Sequence, residues 1–290
     1  MAPTRHHDTH PRRSQGTVRA RQRIAAQRAA QQRAQARRQW LVSIAAAGAV
    51  LAIVVGLVAV KLTSGTAAAA SEAPAPQNVV SQVTTVPAAV LARVRSGGTV
   101  TPVQTVKAPG PVLSIAGKPA IVFVSEESCP FCAAERWPLT VALSHFGTWS
   151  HLGVTRSSAT DVFPNTATLS FRTASYRSSH LTLRTTELTD NRGHRLQPLT
   201  PLDTTLIHGY DVPPYVNSAD QSGAVPFLDI GNHYILAGAQ YNPQILAGLS
   251  QAQIASQLRN PASPVAQAID GSANVIIAAI NNVLQHQASD

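Results

Sequence analysis

Cys129 and Cys132 are the only two cysteines of the chain and stand as Cys129-Pro130-Phe131-Cys132. Two thiols at this spacing can give up two electrons together and close a disulfide, or bind a metal as thiolates. Their setting narrows the chemistry. Residues 121–124 are an apolar run that reads as a buried strand, residues 125–128 are a polar turn, and a helical pattern starts at the cysteines. Pro130 suits a first helical position because it has no N–H to leave unpaired. A thiol just ahead of it sits where free N–H groups and the helix dipole favour negative charge. It is the thiolate that attacks a disulfide. Such settings lower a cysteine pKa from about 8.5 toward roughly 3.5–7.5. Glu126 and Glu127 would act in the opposite sense if they pointed at the sulfur. The ring closed by this spacing is too short to stabilise the fold much, so chemistry is the better reason for the pair.

A metal use stays open beside the redox one. Cys129, Cys132, His145 and His151 follow the loose spacing of a Cys2His2 zinc site. An inert bridge is the third alternative. The pattern is a single copy in a large domain, so the dithiol reading leads, with no metal and no cofactor expected. There is no phosphate-binding glycine loop and no nucleophile elbow, and Asp161, Asp203, Asp211, Asp220 and Asp229 lack metal-loop spacing.

Charge is unevenly spread. The net charge is +9, and residues 1–40 account for it, with their arginines and the single acid Asp8. A basic body that grips nucleic acid is therefore not expected. Residues 1–40 read as a basic cytoplasmic tail. Residues 41–60 are uncharged, and twenty residues at about 1.5 Å each span a bilayer core of about 30 Å. With the arginines ahead of this stretch, the expected topology is a single transmembrane helix with a cytoplasmic N-terminus. A cleaved signal peptide is the rival reading. Residues 61–83 read as a flexible linker and 84–290 as the extracytoplasmic domain.

Within that domain the pattern predicts a short helix over 86–94, closed by Gly97-Gly98, and a strand near 112–115. The strand at 120–124 leads into the cysteine helix, with a kink at Pro138. Further strands are expected at 167–171 and 181–188, with a turn over 161–166 just before the first of them. Residues 224–230 and 233–238 form a hairpin about Gly231-Asn232. Ser250 and Gln253 make a capping box opening a helix, and a last helix covers about 273–285.

Strand, Cys129-Pro-Phe-Cys132, kinked helix, Val225-Pro226 hairpin and capped helix together resemble the thioredoxin fold. Within it the chain is similar to membrane-anchored thioredoxin-like proteins of actinobacteria and archaea that carry a domain of unassigned function. The run from Cys129 to Trp137 and the run Thr160-Asp-Val-Phe-Pro-Asn-Thr166 carry that closer likeness. The resemblance implies an α/β thioredoxin-like fold with an inserted β-rich, irregular region and an extra C-terminal helix, preceded by one transmembrane helix. It implies Cys129 as the exposed nucleophile, Cys132 as the resolving thiol and Pro226 as a cis-proline beside them. Val225, Pro130 and Phe131 would touch the substrate. Three positions depart from the thioredoxin pattern: Ser128 replaces a tryptophan, Phe123 replaces a buried acid, and Pro138 sits one residue late. The expected function is a membrane-anchored, extracytoplasmic thiol–disulfide oxidoreductase. Its partners would be protein thiols and disulfides outside the cytoplasm, a membrane or soluble redox partner, and the bilayer through residues 41–60. The alternative is a non-catalytic, membrane-tethered binding domain.

Overall fold

The computed structural model describes residues 72–98, 101–216 and 222–288. These lie in the compact unit Ala68–Asp290. The chain opens with β1 (Ala73–Pro74), α1 (Gln77–Thr84) and α2 (Ala88–Val94). Strands β2 (Gln104–Thr105), β3 (Ser114–Ile115) and β4 (Lys118–Ser125) lead into α3 (Pro130–Leu143). Then come β5 (Thr148–Ser150), β6 (Gly153–Arg156), β7 (Ala167–Ser170), β8 (Ser175–Arg177) and β9 (Thr182–Glu187). Helix α4 (Pro201–Tyr210), the hairpin β10 (Phe227–Ile230) and β11 (Tyr234–Ala237), α5 (Gln251–Gln257) and α6 (Pro264–Gln287) complete it.

The main sheet runs β2-β11-β10-β4-β3, with β9 also on β4. β4 pairs in parallel with β9 and antiparallel with β10 and β3. Residues of a strand point alternately to its two faces, and β4 uses both. Ile121 and Phe123 join the larger core with α3, α6, α1, α2 and α5. Ala120, Val122 and Val124 join a smaller core with Leu206 and Ile207 of α4. A strand buried on both faces needs the continuous apolar run that the sequence shows.

This architecture corrects the expected one. It is mixed α/β with several sheets, and the transmembrane helix expected ahead of the domain has no counterpart among the described residues. The segment 148–177 builds two further sheets, β1-β6-β7 and β5-β8. Ala73–Pro74, far upstream, supplies the edge of the first by pairing with Gly153 and Val154. Such non-local pairing leaves no local sequence signal. Among the described residues no helix is long and apolar enough to cross a membrane. The span expected over 41–60 lies outside the described residues, and so does the stretch 1–40 expected as a cytoplasmic tail.

Two helices depart from the reading by pattern. α1 falls in the stretch expected as linker. Val79 and Val83, one turn apart, are both fully buried and need tertiary partners to count as a helix face. α6 starts nine residues earlier than expected, capped by Ser263, whose hydroxyl accepts the Val265 N–H at 3.2 Å, with Pro264 in the first turn. Its extra turns exist because Gly271 lets it touch the end of α2. A Cβ at Gly271 would lie 2.6 Å from the Ser96 carbonyl oxygen and 2.9 Å from Gly97 Cα. Asn274, one turn on, caps α2 by donating to the carbonyls of Leu91 (2.9 Å) and Arg95 (2.6 Å). Gly271→Ala should therefore destabilise the protein by about 1–3 kcal/mol, the usual range for overpacking. Urea unfolding checks this, and an unchanged midpoint would show that the helices do not meet so closely.

Candidate functional site

The dithiol sits where β4 hands over to α3. Cys129 is the N-cap of α3, extended at φ −78° and ψ 124°, and Pro130 opens the first turn. The Cys129 Sγ accepts the backbone N–H of Cys132 at 3.3 Å. Oxygen side chains normally fill this capping role; here a sulfur does, and a thiolate makes the bond charge-assisted. Both cysteines are free thiols. Cys129 is half-buried, whereas Cys132 is fully enclosed and accepts the Glu126 N–H at 3.5 Å.

Val225 reaches the pair through sheet pairing. β10 lies antiparallel on β4 with Phe227 opposite Val124, which delivers the residues just before β10 to the cysteine turn. The Cys129 thiol donates to the Val225 carbonyl at 3.6 Å. The Val225–Pro226 bond is cis and Pro226 is buried. The structure thus brings together Cys129, Cys132, Pro130, Phe131, Val225 and Pro226 at one end of β4.

The two thiols are electrostatically unlike. Hydrogen bonding from the Cys132 side chain, helped by the N–H groups of Cys132 and Phe131, outweighs burial and holds the Cys129 thiol below its ordinary range. Burial pushes Cys132 well above that range, and its hydrogen bond to Cys129 adds to this. An outer thiol that ionises readily beside an enclosed one that does not is the asymmetry that disulfide exchange uses.

Beneath the pair lies a feature the sequence reading missed. Arg136, one turn beyond Cys132, is fully buried. It donates from Nη2 to Glu187 Oε2 at 2.6 Å, from Nε to Glu187 Oε1 at 3.0 Å, and from Nη2 to Ser125 Oγ at 3.2 Å. Glu187 ends β9, opposite Ser125 in the parallel ladder. Burial alone would lower the Arg136 pKa, but the Glu187 carboxylate beside it more than offsets this and holds the guanidinium firmly charged. That charge favours the thiolate form of both cysteines. A signal for it existed: Glu135 and Arg136, adjacent charges just after the dithiol in a helix of mostly apolar residues. Its partner, far along the chain, gave none.

The acids before the pair take separate positions. Glu127 is buried and accepts the Ser170 hydroxyl at 2.6 Å. Burial raises its pKa, against the lowering effect of that bond. Glu126 is half-buried and accepts the Ser128 hydroxyl at 3.2 Å. Phe123, where thioredoxins carry an acid, packs edge-on against Phe171 with ring centres 5.9 Å apart.

Pro138 leaves the Ala134 carbonyl without its helical donor. The Tyr241 hydroxyl, from the segment after β11, donates to it at 2.7 Å. The mid-helix proline is thus accommodated by a side-chain bond from another element.

Among the described residues no three His, Cys, Asp or Glu side chains gather to hold a metal ion. His145 follows the end of α3, about 20 Å along the helix from Cys132 at 1.5 Å per residue, so the four zinc-spaced side chains are not brought together. Asp229 is buried on the smaller core, where its carboxylate accepts the Asn232 N–H at 3.0 Å, and serves the hairpin turn.

No curated protein and no solved structure matches the chain. A family model does match, from β2 to near the end of α6, and this span holds both cysteines, the Arg136–Glu187 pair and Val225-Pro226. Over residues 104–282 the chain fits the family described as Domain of unknown function (DUF929), and it belongs to that family.

Proposed function

We propose that the protein is a thiol–disulfide oxidoreductase acting on protein thiols and disulfides through Cys129 and Cys132. The observation that carries this reading is the Cys129 sulfur: half-buried, in the N-cap position of α3 and lowered in pKa, beside an enclosed second thiol. The Cys129 thiolate attacks one sulfur of a partner disulfide. An S–S bond forms between Cys129 and the partner, and the partner's other sulfur leaves as a thiolate and takes up a proton. Cys132 then loses its proton and attacks the Cys129 sulfur, releasing the partner's second thiol. The partner gains two electrons, and Cys129 and Cys132 end as a disulfide. A dithiol partner reverses these steps and recycles the site.

Val225 supports the reading because its carbonyl already accepts from the Cys129 thiol. A substrate strand across the cysteine turn would find backbone groups of residues 224–225 in reach. Cys132→Ser should accumulate Cys129 mixed disulfides, visible as adducts on non-reducing gels and lost on adding a reductant. Cys129→Ser should give none. Equal labelling of the two variants, or no adduct in either, would favour a non-catalytic binding domain.

A further inference from the structure

Of the three large hydrophobic side chains that stand exposed among the described residues, one lies in the cysteine turn and one on the loop that packs against it. Phe131 is 38% exposed and Val162 is 72% exposed, the third being Leu199. Phe131 lies inside the dithiol motif. Its ring packs edge-on against half-buried Phe163, with centres 5.7 Å apart, and Val162 precedes Phe163 in the chain. An apolar strip therefore runs outward from the reactive sulfur.

The loop that carries Val162 and Phe163 is latched in place. The Ser158 N–H donates to the Ser128 carbonyl at 2.8 Å, which ties the loop to the cysteine turn. The Phe163 carbonyl accepts from the Ser157 hydroxyl at 3.1 Å and the Thr166 hydroxyl at 2.9 Å. The Asn165 N–H donates to the Ser158 carbonyl at 3.1 Å. Single exposed apolar residues need no explanation. Phe131 in aromatic contact with Phe163, and exposed Val162 next to it on a pre-ordered loop beside the Cys129 turn, form a surface that costs little entropy to engage.

The occupant follows from the covalent chemistry. Anything joined to the Cys129 sulfur lies over Phe131, two residues on, and is directed along the strip. Resting on the oxidoreductase reading, we propose that residues 157–166 form a specificity wall. The wall selects extended polypeptide partners that carry an aliphatic or aromatic side chain close to the exchanging cysteine. Val162 and Phe163 receive that side chain, while the Val225 carbonyl accepts from the same sulfur. The wall belongs to a connection between β6 and β7, outside the sheet that holds the dithiol.

The test uses the full chain and two synthetic peptides, each carrying one cysteine as its mixed disulfide with glutathione. They differ only in leucine or serine two residues from that cysteine. Oxidised glutathione serves as a third substrate. The parent protein should exchange with the leucine peptide about tenfold faster than with the serine peptide, the effect of covering one aliphatic side chain. Val162→Ser adds no charge to disturb the thiol and should bring that ratio close to one. Equal rates for the two peptides in the parent, or an undiminished ratio in Val162→Ser, would overturn the wall while leaving the oxidoreductase reading intact. No exchange with any of the three substrates would remove both.

Discussion

Arg136→Met is expected to lower folding stability by about 3–5 kcal/mol, the usual cost of removing one partner from a buried ion pair. The reason lies in what is left behind. Glu187 is buried and receives two short bonds from the guanidinium. Without them a carboxylate stands enclosed and uncompensated, and the Ser125 hydroxyl loses a donor. The pair itself need not be worth that much, because both charges are desolvated to form it. The double variant Arg136→Met, Glu187→Leu should therefore recover most of the loss. Urea unfolding of the parent, both single variants and the double variant closes the cycle. Additive losses in the double variant would show that the two side chains do not act as a unit. The thiols supply a second readout. Arg136 favours both thiolates, so Arg136→Met should raise the pKa of Cys129. Glu187→Gln leaves the guanidinium's charge uncompensated and should lower it. A thiolate absorbance titration reads both directions, and opposite signs are not what loosened packing alone would give.

Stability should also fall as pH rises from about 5 to about 8, contrary to the usual behaviour of paired carboxylates. Glu135 and Asp270 lie on the facing helices α3 and α6, both fully buried. Glu135 accepts the Gln240 N–H at 3.0 Å through Oε2. Its Oε1, and both oxygens of Asp270, have no hydrogen-bond partner among the described residues. Both charges also raise the pKa of the buried Tyr241 hydroxyl, after burial itself. Burial pushes Glu135 up to about 8, against the weaker opposing effect of the Gln240 bond, and burial pushes Asp270 up to about 8. The neutral acids are thus the folded forms. With the folded pKa above the unfolded one, their contribution is fully present below the unfolded value and is lost as pH rises through about 8. Over that window each group contributes a slope of about 1.4 kcal/mol per pH unit. Glu135→Gln and Asp270→Asn should each flatten the profile, since neither amide ionises. Urea midpoints across the range decide it: a flat parent profile, or variants as steep as the parent, would exclude these two carboxyls as the cause.

What could be read from the chain alone follows the range of the interactions involved. The order strand, cysteine turn, helix was legible because each part is local. An apolar run makes β4, a proline opens α3, and the dithiol falls at its cap. The β10–β11 hairpin was equally plain in place but not in length: Gly231 and Asn232 both take positive φ, yet Ile230 pairs with Tyr234, so residues 231–233 make a three-residue connection where two were expected. The capping box of α5 appears as expected, with Ser250 and Gln253 bonded to each other's backbone N–H. Val225 and Pro226 were picked out by their place before that hairpin, and strand pairing does set them beside the cysteines.

Tertiary structure decided the rest. The helix of residues 77–84 has a two-valine face that means nothing until α5 and α3 cover it. The early start of α6 depends on Gly271 meeting the end of α2. The segment 148–177 makes sheets of its own, one of them closed by Ala73 and Pro74, a pairing that a β-rich reading of the segment does not specify. Arg136 needed Glu187, and Pro138 needed Tyr241, each from a distant element. The sequence by itself determined the dithiol and its place at a helix start, because both are written within a dozen consecutive residues. Only the folded chain decided its surroundings: the buried cation, the enclosed acids and the apolar wall. Those come from contacts between residues far apart along the chain, and a single sequence carries no local trace of such contacts.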